Sequence, residues 1–231
     1  MRSFIAIILL AVIGLGLALC LSELPFGANH IAADTKAGRH YLDQAVSETG
    51  SANVVTAVVV TYRGFDTLGE VTVLFIAAIG LGIVFYRRKK DAAKPPRPAS
   101  FVLRTGCCFL FPVILVLGAY IFLHGHLTPG GGFQGGVIIA SGFLLTYIGC
   151  SDMKIHHKWF EATESLAGCA FVIAGLAGLA VGGGFLMNFM PKGNFNTLFS
   201  AGLIPIIYAA IGLKVGAELT GLIANFLERA E

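Results

Sequence analysis

Apolar runs of about 20 residues recur along the whole chain, and no other feature narrows the fold so far. A helix of that length rises about 30 Å, the thickness of a bilayer's hydrocarbon core. In lipid the backbone polar groups must be satisfied within the segment, so such runs read as membrane-spanning helices. Composition agrees: of 231 residues, 56% are hydrophobic and 13% charged, against about 25% charged in a typical soluble domain. Disorder, a nucleic-acid-binding module and an ordinary cytosolic enzyme are excluded. A net charge of +3 is too small to argue for an anionic polymer as partner.

The expected fold is an all-α integral membrane protein with about six transmembrane helices. The first span is Ser3–Leu21. Its Arg2, apolar core and Leu17-Ala18-Leu19-Cys20 sequence imitate a signal peptide, but Leu19 is large for the residue before a cleavage site, so a retained helix is expected. Ser22–Ala52 is polar and reads as an exposed loop. Asn53–Val60 is apolar, short and β-branched, leaving open an interfacial helix or an extension of the second span, Thr67–Tyr86. Arg87-Arg88-Lys89-Lys90 stops that span, and Pro95, Pro96 and Pro98 prevent the helix from continuing. This basic, Pro-rich linker is the best boundary between domains, 1–98 and 99–231. Further spans are Phe101–Leu123, Gly135–Cys150, Ser165–Gly182, and one that starts near Thr197 and fades between Ala217 and Phe226.

Basic residues beside the spans set orientation. With the amino terminus inside, eleven lysines and arginines lie in the cytoplasm and four (Lys36, Arg39, Arg63, Lys192) outside. Both termini are therefore expected in the cytoplasm.

Ionisable residues within spans are costly and usually face protein or a wet cavity. Asp66 and Glu70 are four apart and share a helix face, with Arg63 a turn earlier, able to neutralise Asp66. Glu70 reads either as an interfacial cap or as a buried carboxylate for cation or proton passage. Lys214 and Glu218 form a second pair at the same spacing. Lys214 reads either as snorkelling to the cytoplasmic surface or as meeting a neighbouring helix, and Glu218 as marking the end of its span. The segment His124–Gly136 carries Pro129, Gly130, Gly131, Gly132, Phe133, Gly135 and Gly136 and reads as a re-entrant or tightly packed turn. Ala78 and Gly82, and Ala174, Gly178 and Gly182, suggest faces where helices approach closely. The five cysteines (Cys20, Cys107, Cys108, Cys150, Cys169) read as small apolar residues. No nucleotide motif, nucleophile–base set or metal-ligand cluster is seen, so neither a cofactor nor a metal is expected, and the chain reads as a membrane subunit without an enzyme active site.

Two blocks resemble known families. Leu103-Arg104-Thr105, Gly125-His126, Pro129 through Gly136, and Gly212-Leu213-Lys214-Val215 resemble the MrpB (MnhB) component of the multisubunit Mrp-type Na+/H+ antiporter, and also the F-type component of membrane-bound hydrogenases. Tyr62 through Glu70 resembles the E-type component of those hydrogenases and the carboxyl end of the large A-type antiporter component. The usual MrpB chain lacks the first two spans. The resemblance implies membership of a hetero-oligomeric cation/proton antiporter in the cell's inner membrane, with Na+ and H+ as transported ions and Glu70 in their path. Redox-driven pumping in a complex-I-like assembly, and a purely structural role in assembly, are the alternatives.

Overall fold

The computed structural model describes residues 2–22, 36–86, 99–150 and 157–230. It divides into two compact units, Met1–Asp43 and Gln44–Glu231. The first unit holds α1, Arg2–Ser22, and the start of α2, Lys36–Thr49. The Ser22–Ala52 stretch is thus not simply a loop: α2 carries an alternation of polar and apolar residues that suits a surface helix. α1 has 21 residues, and its described apolar stretch is Ile7–Gly16.

In the second unit α3, Val54–Thr56, runs into a π-helical segment, Ala57–Tyr62. Asn53 starts it, its Oδ1 accepting from the N–H of Val55 and Thr56. At Arg63 the backbone leaves the helical region (φ −124°, ψ 32°), and α4, Gly64–Tyr86, begins. Asn53–Val60 is therefore a helical lead-in to the second span, separated from it by a break. Thr67 bridges the break, its hydroxyl donating to the Val59 carbonyl at 2.7 Å.

α5 is Phe101–Leu123, capped by the Ser100 hydroxyl, which accepts from the Leu103 N–H. α6 is Gly132–Gly149, so the end of the expected glycine loop, from Gly132 on, forms its first turn. α7 is His157–Gly182 and α8 is Ile204–Ala230. α8 starts later than the sequence suggests because the residues before it fold as turns, with Asn196, Ala201 and Gly202 at positive φ. It runs on through Glu218 rather than fading there. The Pro-rich linker lies mostly outside the described residues.

Among the described residues five helices, Gly64–Val84, Phe101–Leu123, Gly132–Gly149, Lys158–Gly182 and Ile204–Leu227, are long and apolar enough to cross a membrane. α8 is the central one, packed by α4, α5, α6 and α7. Its Ile204, Ile207, Ile211 and Val215 are almost fully buried with Phe171 of α7. α4 and α5 bury only a narrow face and leave Val73, Ile76, Ile83, Phe109 and Val116 exposed, as suits lipid or another apolar chain.

At Gly178 and Gly182 the small-residue stripe on α7 makes room for a returning loop, while Ala174 packs against the buried core. A Cβ on Gly178 would stand 2.8 Å from the Met187 nitrogen, and one on Gly182 2.9 Å from the Met187 side chain. The chain folds back there after Gly183, burying Leu186, whose N–H donates to the Gly175 carbonyl. Leu186 takes φ 59° to do so, a conformation that costs a non-glycine residue about 1 kcal/mol or more.

Candidate functional site

Lys214 and Glu218 lie one turn apart on the face of α8 that meets α7 and α4. The ammonium of Lys214 is 3.0 Å from Glu218 Oε2, 3.5 Å from Glu164 Oε1 of α7, and 4.9 Å from the centroid of the Phe75 ring of α4. Lys214 is 8% exposed and Glu218 3%. Snorkelling to the surface is therefore not what this lysine does. Its stem passes Gly168, where a Cβ would already lie 3.6 Å from Lys214 Cδ. Taking charges out of water is costly, so three ionisable groups meeting inside a helical bundle hold together only through mutual attraction. Two carboxylates face one ammonium, and Glu218 Oε1 is buried without a hydrogen-bond partner.

Glu164 escapes the sequence reading, which starts this span only at Ser165. α7 begins at His157, so Glu164 is two turns inside the helix. Counting back from the buried Phe171 and Ala167 by three or four residues reaches Glu164 and exposes the signal. Glu164 also separates two cavities. One, about 260 Å³, is lined by Phe160, Glu161, Glu164, Glu218 and Asn225 among others. The other, about 490 Å³, is mainly apolar and includes Thr72, Phe75, Glu164, Cys169 and Lys214.

The three residues at the start of α4 form a separate group. Arg63 pairs with Asp66 through Nη2 and Oδ2, and both are exposed. Glu70 is exposed as well, not buried. Arg63, Asp66, Thr67 and Glu70 line a small hollow of about 110 Å³. Asp66 sits in the first turn of α4, where the helix dipole favours an anion.

The glycine loop is a packing device. A Cβ on Gly132 would lie 2.6 Å from Ile211 Cβ, and one on Gly136 2.8 Å from the Gly212 carbonyl oxygen and 2.9 Å from the Gly216 nitrogen. The absence of side chains there lets α6 lie directly on the backbone of α8. The carbonyls of the loop are bound by the segment before α4. Asn53 Nδ2 donates to the carbonyls of Gly125 and Thr128, and the hydroxyls of Ser51 and Thr56 donate to those of His126 and Gly125. Tyr208 of α8 donates to the Thr56 hydroxyl at 3.0 Å. His126 is fully buried, with Nε2 3.3 Å from the Thr197 carbonyl and Nδ1 without a partner. A carbonyl can only accept, so Nε2 carries the proton. Burial lowers the imidazole's pKa, and the Thr197 carbonyl opposes that shift. Among the described residues, no three His, Cys, Asp or Glu side chains gather closely enough to hold a metal ion directly.

Known proteins share this architecture. A family model described as a domain related to the MnhB subunit of Na+/H+ antiporter matches residues 102–221, and the MbhE model, for the E-type component of MBH, matches residues 1–98. An uncharacterized protein of Methanocaldococcus jannaschii is 34% identical over 194 residues, 73% of this chain and 74% of its own. A chain of the membrane-bound sulfane sulfur reductase, an archaeal respiratory membrane complex, is 49% identical with a TM-score of 0.76, and the match covers 98% of both chains. A chain of the Mrp complex from Dietzia sp. DQ12-45-1b is 26% identical with a TM-score of 0.71; the match covers 97% of this chain and 26% of that one. This chain is thus a multi-pass membrane protein that belongs to the family of domains related to the MnhB subunit of Na+/H+ antiporter, and the segment before that domain is matched by the MbhE model.

Proposed function

We propose that the chain is a membrane subunit of a hetero-oligomeric cation/proton antiporter complex in the cytoplasmic membrane, exchanging Na+ and H+, with no catalytic centre of its own. The observation that carries this reading is the Lys214–Glu218–Glu164 cluster. Ionisable groups at membrane depth are expensive, and they persist chiefly where an ion or proton passes. The cluster draws on both family segments, Phe75 from the first and Glu164, Lys214 and Glu218 from the second.

Glu70 is the second station of the proposed path, with Asp66 and Arg63 at its outer mouth. Its exposure in this chain suits a carboxylate that a partner protein covers, since contact with lipid tails would cost several kcal/mol, on the order of 3. The test is Na+-dependent proton movement in vesicles at matched complex abundance. Glu70→Gln should strongly reduce exchange while the complex still assembles, Glu70→Asp should retain part of it, and Asp66→Asn should be milder. Wild-type rates and Na+ affinity in Glu70→Gln would leave this glutamate an interfacial cap. Wild-type membranes without exchange would remove the antiporter reading.

A second reading is supported by the end-to-end match to the respiratory complex chain. In it the same membrane module belongs to a redox-driven assembly, and electron transfer in other subunits powers ion movement. Purification of the native complex distinguishes the two: iron–sulfur or flavin subunits accompany the chain only in the second.

A further inference from the structure

The 260 Å³ cavity between α4, α7 and α8 has a charge problem that its own side chains leave unsolved. Glu161, Glu164 and Glu218 line it, and among the described residues no basic side chain does. Lys214 reaches Glu218 Oε2 and Glu164 Oε1 from the side of the other cavity. α4 contributes Phe75, Ala78, Ile79 and Gly82 to the wall, none of them charged. One ammonium therefore serves two carboxylates in close contact, and Glu218, only 3% exposed, keeps Oε1 without any partner. A lone carboxylate oxygen in that setting loses its hydration without a protein donor to replace it. The Asn225 side chain adds a neutral amide to the same wall, and the cavity has room for several waters, each of which occupies about 30 Å³ in the liquid.

We propose that this cavity is a binding site for a partly hydrated small monovalent cation, Na+ being the natural occupant, with Glu218 Oε1 as its principal ligand. Hard oxygen donors suit hard cations, and two carboxylates against one ammonium leave a single net negative charge in close contact, which one monovalent ion balances. The carboxylates do not close into a multidentate cage, so water completes the coordination and the ion can leave. Lys214 then acts as a positioning residue: it holds Glu218 Oε2 and leaves Oε1 for the ion. The proposal rests on the antiporter reading for its choice of Na+, but the charge imbalance stands without it.

The test uses the intact complex in native membranes. Dicyclohexylcarbodiimide modifies protonated carboxyl groups in apolar surroundings, and mass spectrometry locates the adduct. The expected result is modification of Glu218 in choline chloride, suppressed about five-fold or more by NaCl at the same ionic strength. The Na+ concentration for half-protection should match that for half-maximal exchange. Glu218→Gln should abolish the protectable label and raise the KM for Na+ in exchange about ten-fold, leaving Lys214 still paired with Glu164. Label at Glu218 that Na+ does not affect, in membranes that do exchange Na+ for H+, overturns the site. Protection by Na+ in membranes that perform no exchange upholds the site and removes the antiporter reading instead.

Discussion

Gly136→Ala is the sharpest test of how this bundle is held. The added Cβ would stand 2.8 Å from the Gly212 oxygen, 2.8 Å from Val215 Cβ and 2.9 Å from the Gly216 nitrogen. Comfortable carbon contacts lie at about 3.5–4.0 Å, so α6 must retreat from α8 by roughly half an ångström or more. Two of the three obstructing atoms are backbone and cannot turn aside. Overpacking of this kind costs about 1–3 kcal/mol, and the retreat also loosens the neighbouring contact at Gly132, so the upper end is expected. At about 1.4 kcal/mol per factor of ten, about 2–3 kcal/mol lowers the ratio of folded to unfolded protein roughly 30- to 140-fold. Gly106→Ala is the matched control: a Cβ there meets nothing within 4 Å, and alanine is about 1 kcal/mol the better helix former. Thermal unfolding of the purified complex reads both variants. Equal melting temperatures for Gly136→Ala and Gly106→Ala would refute the claim that backbone contact between α6 and α8 holds the bundle.

Lys214→Met should lower complex yield sharply, because it strands the buried Glu218 carboxylate at a cost of about 3–5 kcal/mol and leaves the half-buried Glu164 without its cation; adding Glu218→Gln should restore part of it, and normal yield of the single variant on native gels would contradict the cluster. His126 prefers its neutral form when folded, so stability is complete above its ordinary pKa of 6.5 and declines as pH falls below it. The melting temperature should therefore fall as pH drops below about 6.5, and His126→Gln should flatten that slope; an unchanged slope would remove His126 as its source. Single cysteines in the Pro-rich linker should react with membrane-impermeant reagents only from the cytoplasmic side, and labelling from outside intact cells would reverse the proposed topology.

The spans were legible because lipid imposes one simple rule, about 20 apolar residues per crossing. Their ends were not. α8 begins at Ile204 because backbone turns at Asn196, Ala201 and Gly202 precede it, and hydropathy carries no trace of those dihedral angles. The pairing of Lys214 with Glu218 follows from four-residue spacing. Glu164 lies far away in sequence on another helix, and nothing local ties it to them; its partnership is a product of packing. Glu70 shows the opposite failure. Sequence can say that a carboxylate enters a span, but not which face of the helix meets this chain's own core. The glycine block was recognisable as a packing element, whereas its partners, Ile211, Gly212 and Gly216, became visible only with the helices side by side.

The bonds from Ser51, Asn53 and Thr56 to the carbonyls of the glycine loop join two family segments that here share one polypeptide. Covalent linkage turns their meeting into an intramolecular event, with an effective concentration on the order of millimolar for a short linker. The polar contacts and the apolar packing of Val60 and Val71 against the α8 core then form without a search between separate chains. The stoichiometry is also fixed at synthesis: every Lys214 is delivered with its Phe75, and no assembly step can leave the buried charges open to lipid for want of the first segment.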